Sequence, residues 1–391
     1  MFDTEHVAGA IAYLSAPSEA QLQRVADTAA ARHLRKHSAV TGYYPAGATT
    51  LDITRDLLSK PVEPGEISRV KGLLAEIRSA PGRQRACLAD ALRYLPEGFR
   101  FAEPLHLTWG YDIGVSMDGS ASINLAHPRF AADPGEIWFY CTHEMHHAGL
   151  TAFQPFPRAV SEIRTAGQML EFIRYATMLE GMAVHAARQP RQEDGALQND
   201  PDYVALDDPV RMAAFEQAYW EIYQFFEAAG DRPLDEDDWR RVERLSDGDR
   251  LWYRVGALIA SKIEADIGIS AFRDLPRHGP DGFFGHYRRK TDLPKWPQDG
   301  PLVGRPQLLR WGPSLYSGPS GKSNNSDQMR PHPVSVGSPR SSSRMSVQTA
   351  IRIPVAQAIF ARPSSQISTV SPRPRVARRR SSSASMDLAS R

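Results

Sequence analysis

The chain is poor in cysteine and in long apolar runs, and both shortages exclude classes of protein. Its 391 residues include only two cysteines, Cys87 and Cys141, too few for a disulfide framework or a CxxC zinc knuckle. No apolar run approaches the roughly 18 residues of a membrane-spanning helix. Residues 1–6 lack the basic and apolar segments of a secretory signal. We therefore expect a reduced, cytoplasmic protein with no membrane partner, in which Cys141 is a small buried apolar residue.

Charge is distributed unevenly along the chain. The net charge is +2, but residues 311–391 carry +10 and residues 1–310 carry −8. The segment 311–391 also holds 20 serines and 9 prolines, which leaves too little apolar material to offset the entropy cost of folding. We expect a disordered basic Ser/Pro/Arg-rich tail there. After Tyr316 its only aromatic residue is Phe360, so it offers little base stacking, and we do not expect a nucleic-acid partner.

Hydrophobic periodicity and turn signals predict an α+β fold that is mostly helical. Residues 1–100 are expected to form an N-terminal helical region, with helices at about 18–36, 50–59, 64–79 and 83–94. Residues 105–117 are rich in strand formers, Asp118-Gly119 is a hairpin turn, and residues 120–125 form the return strand. Further helices are expected at about 133–149, 162–188, 208–230 and 249–267. A small antiparallel sheet thus precedes the helices of a catalytic region, 101–310.

The first helix after the hairpin contains the pattern His-Glu-x-x-His, as His143-Glu-Met-His-His147. Residues four apart lie one turn apart on the same helix face, so His143 and His147 can bind one metal ion through their imidazoles. Glu144 lies beside them, where its carboxylate can take a proton from water. His146 points off this face, which favours a supporting or surface role. The alternative is a helix that holds three histidines by chance.

A catalytic zinc ion needs a third protein ligand and an open position. The metzincin pattern is excluded, because Leu150 and Phe153 stand where glycine and histidine are required. A carboxylate from the next helix is the other common arrangement, and the candidates are Glu162, Glu171 and Glu180. We select Glu180, because it lies on an apolar face of small residues, where an unpaired carboxylate is costly. A buried ion pair with Arg or Lys is the alternative for Glu180, and Glu162 is the next candidate ligand.

The motif His143-Glu-Met-His-His147, followed by Glu180-Gly-Met-Ala183, resembles the gluzincin-type zinc metallopeptidases. It is similar in particular to zinc-dependent peptidases whose second motif is Glu-Gly-x-Ala, over about residues 100–290. The resemblance implies a zincin-like fold in which an edge strand before the motif helix pairs with the substrate backbone. It also implies that Zn²⁺ is bound by His143, His147 and Glu180. Glu144 is then the general base.

Other parts of the site are less defined by the motifs. Tyr253, in Arg250-Leu-Trp-Tyr253, lies in a segment similar to one that follows the Glu-Gly-x-Ala helix in such families, and it is our candidate donor to the oxyanion. Core packing is its alternative. His127 and His185 are candidates for residues that contact the metal ligands without binding the metal ion themselves, although a purely structural role is the favoured interpretation of both. Leu179 precedes Glu180 where thermolysin has asparagine, so we do not assign thermolysin-like substrate subsites to this chain.

These observations predict an enzyme, a zinc metallopeptidase that hydrolyses peptide bonds of a peptide or protein substrate by means of an activated water. One alternative is a non-peptidase amide hydrolase that uses the same zinc centre. The other is a non-catalytic interaction protein whose basic tail binds nucleic acid. Substrate specificity and oligomeric state do not follow from the motifs.

Overall fold

The arrangement of helices and strands is known from a computed structural model, which describes residues 2–288. The expected tail at 311–391, and the last part of the catalytic region after 288, lie outside the described residues. The strands are β1 Phe2–Asp3, β2 Leu105–Thr108, β3 Gly114–Met117 and β4 Ser120–Asn124. The helices are α1 Glu5–Ser15, α2 Glu19–Ala26, α3 Ala29–Thr41, α4 Thr50–Ser59, α5 Glu66–Ser79, α6 Pro81–Arg93, α7 Pro128–Ala132, α8 Glu136–Phe153, α9 Ala166–Glu193, α10 Pro201–Leu206, α11 Pro209–Ala229, α12 Glu236–Glu243, α13 Leu251–Phe272 and α14 Gly279–Arg288. The expectation of a mostly helical protein with a small sheet is confirmed.

The sheet is mixed, with the strand order β1-β2-β4-β3. β1 pairs with β2 in parallel, β2 pairs with β4 in parallel, and only β3 and β4 form the antiparallel hairpin. The prediction of an antiparallel sheet is therefore wrong for most of the sheet. The chain leaves the strand conformation between β2 and β3, where Gly110 and Tyr111 have φ of 83° and 79°. This bend separates two strands that the sequence pattern presents as one run.

Several helix ends differ from their predicted positions. The expected helix at 18–36 is two helices, because Thr28 interrupts it and its hydroxyl accepts the N–H of Ala31 as the cap of α3. α8 begins at Glu136 rather than at 133, and it continues past 149 to Phe153. α9 begins after Thr165, which forms a capping box with Gln168. The helix predicted at 249–267 bends at Gly268 and continues to Phe272.

The sheet lies between two layers of helices. Val115 of β3 packs against Leu34 of α3, whereas the neighbouring Gly114 faces Glu144 of α8. Since alternate residues of a strand point to opposite faces, α3 and α8 cover opposite faces of the sheet. A second core lies beyond α8, where apolar side chains of α9, α11 and α13 pack together. No helix among residues 2–288 is both long enough and apolar enough to cross a membrane.

Cys87 of α6 and Cys141 of α8 form a disulfide bond. Cys141 is fully buried, as expected, but the interpretation of it as an unpaired apolar residue is wrong. The two positions are 54 residues apart, and the packing of α6 against α8 brings them together. Disulfides persist mainly in oxidising compartments, so this bond argues against the reduced environment expected from the sequence.

Candidate metal centre

Two imidazoles from α8 and one carboxylate from α9 converge at a single point. The Nε2 atoms of His143 and His147 lie 3.4 Å and 3.2 Å from Oε2 of Glu180. One donor atom from each of the three residues falls within 4.8 Å of the other two, and all three residues are buried. Two nitrogen donors and one carboxylate oxygen are the donor set of many catalytic zinc sites. The residues therefore fit a zinc ion by their spacing and by their chemistry.

Close packing of α9 against α13 places Glu180 in this position. A Cβ atom on Gly181 would lie 2.2 Å from the backbone of Gly256, and a Cβ on Gly256 would lie 2.4 Å from the carbonyl oxygen of Thr177. No larger residue fits at either position without moving one helix away from the other. The glycine after Glu180 thus has a structural cause, because it allows α13 to approach the same turn of α9 that carries the carboxylate.

The other two candidate ligands are not part of this cluster. Glu162 is exposed, in a short 3₁₀ turn before α9. Glu171 lies on α9, but its side chain is 51 % exposed and forms an ion pair with Arg158 at 2.7 Å. Among the three glutamates considered from the sequence, Glu180 alone meets the imidazoles of α8.

The pKa values of His143 and Glu180 are shifted by burial and by the charges of the neighbouring residues of the cluster. Burial, and then the neighbouring His147, lower the pKa of His143 to about 4. Burial raises the pKa of Glu180, but His147 and His143 outweigh this effect, and the net pKa lies below its ordinary value. This buried carboxylate is therefore stabilised in its anionic form, which is the form that binds a metal ion.

Glu144 lies on the side of α8 that faces the edge strand of the sheet. A Cβ atom on Gly114 of β3 would lie 2.3 Å from Oε1 of Glu144, so only glycine leaves room for this carboxylate. Burial raises the pKa of Glu144 well above its ordinary value, and the charges of Glu180 and Asp112 add to the effect. A carboxylate with a raised proton affinity is suited to accept a proton from a reacting group.

Tyr253 lines the same cleft, and a buried charge network holds it there. The guanidinium of Arg250 lies 3.6 Å from the centroid of the Tyr253 ring, and it donates to the carboxylate of Asp202 at 2.8 Å. Arg254 donates to the same carboxylate at 3.0 Å. Burial, and then the charge of Glu180, raise the pKa of Tyr253 well above its ordinary value. Its hydroxyl therefore keeps its proton and can donate a hydrogen bond.

The remaining histidines considered from the sequence do not join the cluster. His146 is fully buried, so the surface role considered for it is excluded. His185 is hydrogen-bonded to Glu264 at 2.5 Å and packs edge-on against Tyr94. His127 caps α7 by accepting the N–H of Arg129 at 3.2 Å. These contacts of His127 and His185 agree with the structural interpretation of both.

The cluster lies in an open cleft whose empty volume, counted with part of the adjoining solvent, is about 490 Å³. Its walls include side chains that the motifs did not indicate, among them His37, Asp112 and Phe156. His37 comes from α3, more than a hundred residues before the motif, and no local pattern could have assigned it. Asp112 carried a weak signal, because it is an acidic residue inside a run of strand formers. The cleft thus combines residues from α3, β3, α8, α9 and α13.

Comparison with known proteins agrees with this geometry. No curated protein and no solved structure gave a significant match to the chain. One family model does match it, over residues 67–292, which is more than half of the chain and includes both α8 and α9. The chain therefore belongs to the family described as Putative zinc dependent peptidase (DUF5700).

Proposed function

We propose that this protein is a zincin-like metallopeptidase of the gluzincin type, with His143, His147 and Glu180 as the zinc ligands. The observation that carries the proposal is the convergence of two imidazole nitrogens and one carboxylate oxygen in a cleft. Membership in a family described as zinc-dependent peptidases supports it. A zinc ion held by this set supplies Lewis-acid chemistry, since it polarises a carbonyl group and acidifies water.

In this mechanism Glu144 moves the proton. Its carboxylate accepts a proton from the attacking water and later delivers it to the nitrogen of the leaving amine. The residue is one position from His143, and Gly114 lets it lie against the edge strand. A cation on the neighbouring donor set would favour the ionised form of Glu144, which is the form that a base requires.

Tyr253 is the proposed donor to the oxyanion. Its hydroxyl keeps its proton, and its ring is held by Arg250, so the group is available before substrate binds. A fixed donor stabilises developing negative charge without the cost of reorganising in the transition state. Tyr253 and Glu144 both line the cleft, where they can act on the same bond.

The edge of β3 offers a binding surface for an extended peptide. The N–H of Asn124 donates to the carbonyl of Ile113 at 3.0 Å, and the register then continues regularly along β3 and β4. In such a ladder every second residue turns its backbone groups away from the partner strand. The backbone groups of Gly114 and Ser116 are therefore the ones available to a substrate strand. This edge favours a peptide over a small non-peptide amide.

The test uses the zinc-loaded full-length protein and a complex peptide mixture analysed by mass spectrometry. We expect new peptide termini with the wild type and a loss of rate of about 100- to 10,000-fold with Glu144→Gln, since general-base catalysis contributes this much. The variant should retain its zinc. Glu171→Gln is the matched control, because it makes the same change on an exposed glutamate outside the cleft.

A parallel panel of acylated small molecules separates the two hydrolase alternatives. Cleavage of those compounds without cleavage of any peptide would replace the peptidase proposal by an amide hydrolase at the same centre. Equal rates for the wild type and Glu144→Gln on every substrate would refute the proposed mechanism.

A further inference from the structure

α8 and α9 are joined by a buried ion pair as well as by the metal-binding cluster. Glu136 in the first turn of α8 accepts two hydrogen bonds from the guanidinium of Arg191 in the last turn of α9, at 2.7 Å and 2.9 Å. Both residues are buried. Two parallel bonds fix the direction of the guanidinium as well as its distance from the carboxylate. The proposed mechanism gives this pair no role.

The ion pair and the metal-binding cluster are separated by the same number of residues on both helices. Glu136 comes 11 residues before His147, and Arg191 comes 11 residues after Glu180. Eleven residues are close to three turns of an α-helix, or about 16 Å, so each helix presents both of its residues on one face. The two contacts therefore belong to one antiparallel arrangement of α8 and α9, in which both form together.

Arg191 is also held by aromatic rings. Its guanidinium lies 4.6 Å from the ring centroid of Phe139 on α8 and 4.8 Å from that of Tyr203 on α10. The hydroxyl of Tyr203 donates to the carbonyl of Val184 on α9 at 3.1 Å. Arg191 thus contacts α8 through an ion pair and through a ring. A shift of α9 along α8 would break both contacts.

A second arginine completes the charge balance around Glu136. Arg129 donates to Glu136 at 2.9 Å and to Asp200 at 2.8 Å, and Asp200 lies 3.6 Å from Arg191. Burial raises the pKa of Glu136, but the two arginines outweigh this effect, and the net pKa lies below its ordinary value. Separation of such a pair would leave buried charges without a partner, which is costly. The fold therefore favours the one register of α8 on α9 that keeps Glu136 and Arg191 together.

The contacts within the metal-binding cluster are longer than those of the ion pair. Oε2 of Glu180 lies 3.4 Å from His143 and 3.2 Å from His147. A metal site gains from ligands that other contacts already hold in place. The ion pair is suited to this task, because it joins the two helices that carry the ligands.

We propose that Arg191 and Glu136 are positioning residues, which set the register of α8 on α9 and so hold His143, His147 and Glu180 at the spacing that binds zinc. This inference rests on the proposed function, because it takes these three residues to be the zinc ligands. Arg191 and Glu136 act through the helices, since neither is among the described residues that line the cleft of the cluster.

The experiment measures the zinc affinity of the full-length protein by competition with a chelator. It compares the wild type with Arg191→Lys, Glu136→Gln and the double variant. Lysine keeps the charge of arginine but cannot form two parallel bonds. We expect zinc binding to be about 3- to 30-fold weaker in each single variant, the range usual for changes that act on a site through packed elements. The double variant should lose little more than the weaker-binding single variant, because both changes break the same contact.

A second measurement reports the geometry of the ligands. Co²⁺ binds to the same types of ligand as Zn²⁺, and its visible absorption depends on their number and arrangement. We expect Arg191→Lys to change the absorption bands of the Co²⁺-loaded protein. A general loss of stability would leave the spectrum of the folded protein as it is in the wild type.

Two control variants separate the register of the helices from stability in general. Arg188→Lys makes the same change one turn earlier on α9, in a partly exposed ion pair with Asp207. Asp202→Asn breaks a buried pair with Arg250 of α13, so it should cost stability without loosening α8 from α9. Both variants should keep the zinc affinity of the wild type. Circular dichroism and urea unfolding measure folding and stability in each protein.

The inference is overturned if folded Arg191→Lys and Glu136→Gln bind zinc like the wild type, or if Asp202→Asn weakens zinc binding as much as they do. Weaker zinc binding in both variants of a protein that cleaves no peptide would uphold this inference and refute the proposed peptidase. Peptide cleavage by a protein whose zinc affinity neither variant changes would have the opposite meaning.

Discussion

On one face of the sheet, His143 and His147 of α8 point their Nε2 atoms at the same oxygen of Glu180. On the other face, the buried residues His33 and His106 have separate partners. His33 of α3 contacts the carbonyl of Val115 at 3.2 Å, and His106 of β2 pairs with Asp3 at 2.8 Å. Both groups are buried and both contain imidazole rings near one another. The difference is that only the first group directs its donor atoms at one point.

This difference separates a buried histidine that only packs in the core from one that can bind a metal ion. Burial alone disfavours the charged imidazole, and it lowers the pKa of His33 to about 3 and that of His6 to about 4. Such residues are neutral members of the core. A metal site needs in addition an anionic ligand at the point on which the imidazoles converge, and Glu180 provides it for His143 and His147.

The largest expected effect is the loss of metal in Glu180→Ala. Two imidazoles without the carboxylate form an incomplete site, so zinc affinity should fall by more than about 100-fold. This loss exceeds the one usually seen when a residue that hydrogen-bonds to a metal ligand is changed. Metal analysis after dialysis measures this. His33→Gln on the opposite face is the control, and it should keep full zinc content. Full zinc content in Glu180→Ala would exclude Glu180 as a ligand.

A smaller effect is expected from Gly114→Ala, which tests the contact between β3 and α8. The new methyl group would overlap Glu144 and displace its carboxylate, and a displacement of about 1 Å can reduce the rate by about 100-fold. Zinc content should not change, because the ligands lie elsewhere. Gly72→Ala on α5 is the control, since a Cβ atom there meets nothing within 4 Å. A wild-type rate for folded Gly114→Ala would show that this contact does not position Glu144.

The smallest effect is the dependence of the folding stability on pH that the buried His6 of α1 should cause. His6 has a pKa of about 4 in the folded protein, lowered by burial, against 6.5 in the unfolded chain. Below pH 6.5 the unfolded state binds the proton more readily, so the stabilisation is complete above pH 6.5 and is lost as the pH falls towards 4. The expected cost is about 1.4 kcal/mol for each pH unit.

Urea unfolding of the wild type and of His6→Leu at pH 7.5 and pH 5 measures this contribution. At pH 7.5 the histidine is neutral in both states, so the difference there reports packing only. The variant should lose less stability than the wild type between the two pH values. An identical loss in both proteins would show that His6 does not contribute to acid sensitivity.

The sequence was most informative where a single helix carries the pattern. The positions of His143 and His147, one turn apart on α8, follow from helical periodicity, and the structure places them as expected. The selection of Glu180 over Glu171 depended on the apolar neighbours of Glu180, and this face of α9 is buried. The crossing of α9 and α13 at Gly181 brings Tyr253 to the same cleft. This crossing cannot be predicted from local sequence patterns.

The sequence by itself determined the mostly helical character, the motif helix and the identity of the residues that can bind a metal ion. Those features depend on residues within a few turns of each other, where periodicity and side-chain chemistry are sufficient. Only the tertiary structure decided the parallel pairing of β2 with β4, the bond between Cys87 and Cys141, and the position of Asp112 in the cleft. Each of these requires segments that are distant along the chain to meet in space, and packing of the whole fold decides which ones do.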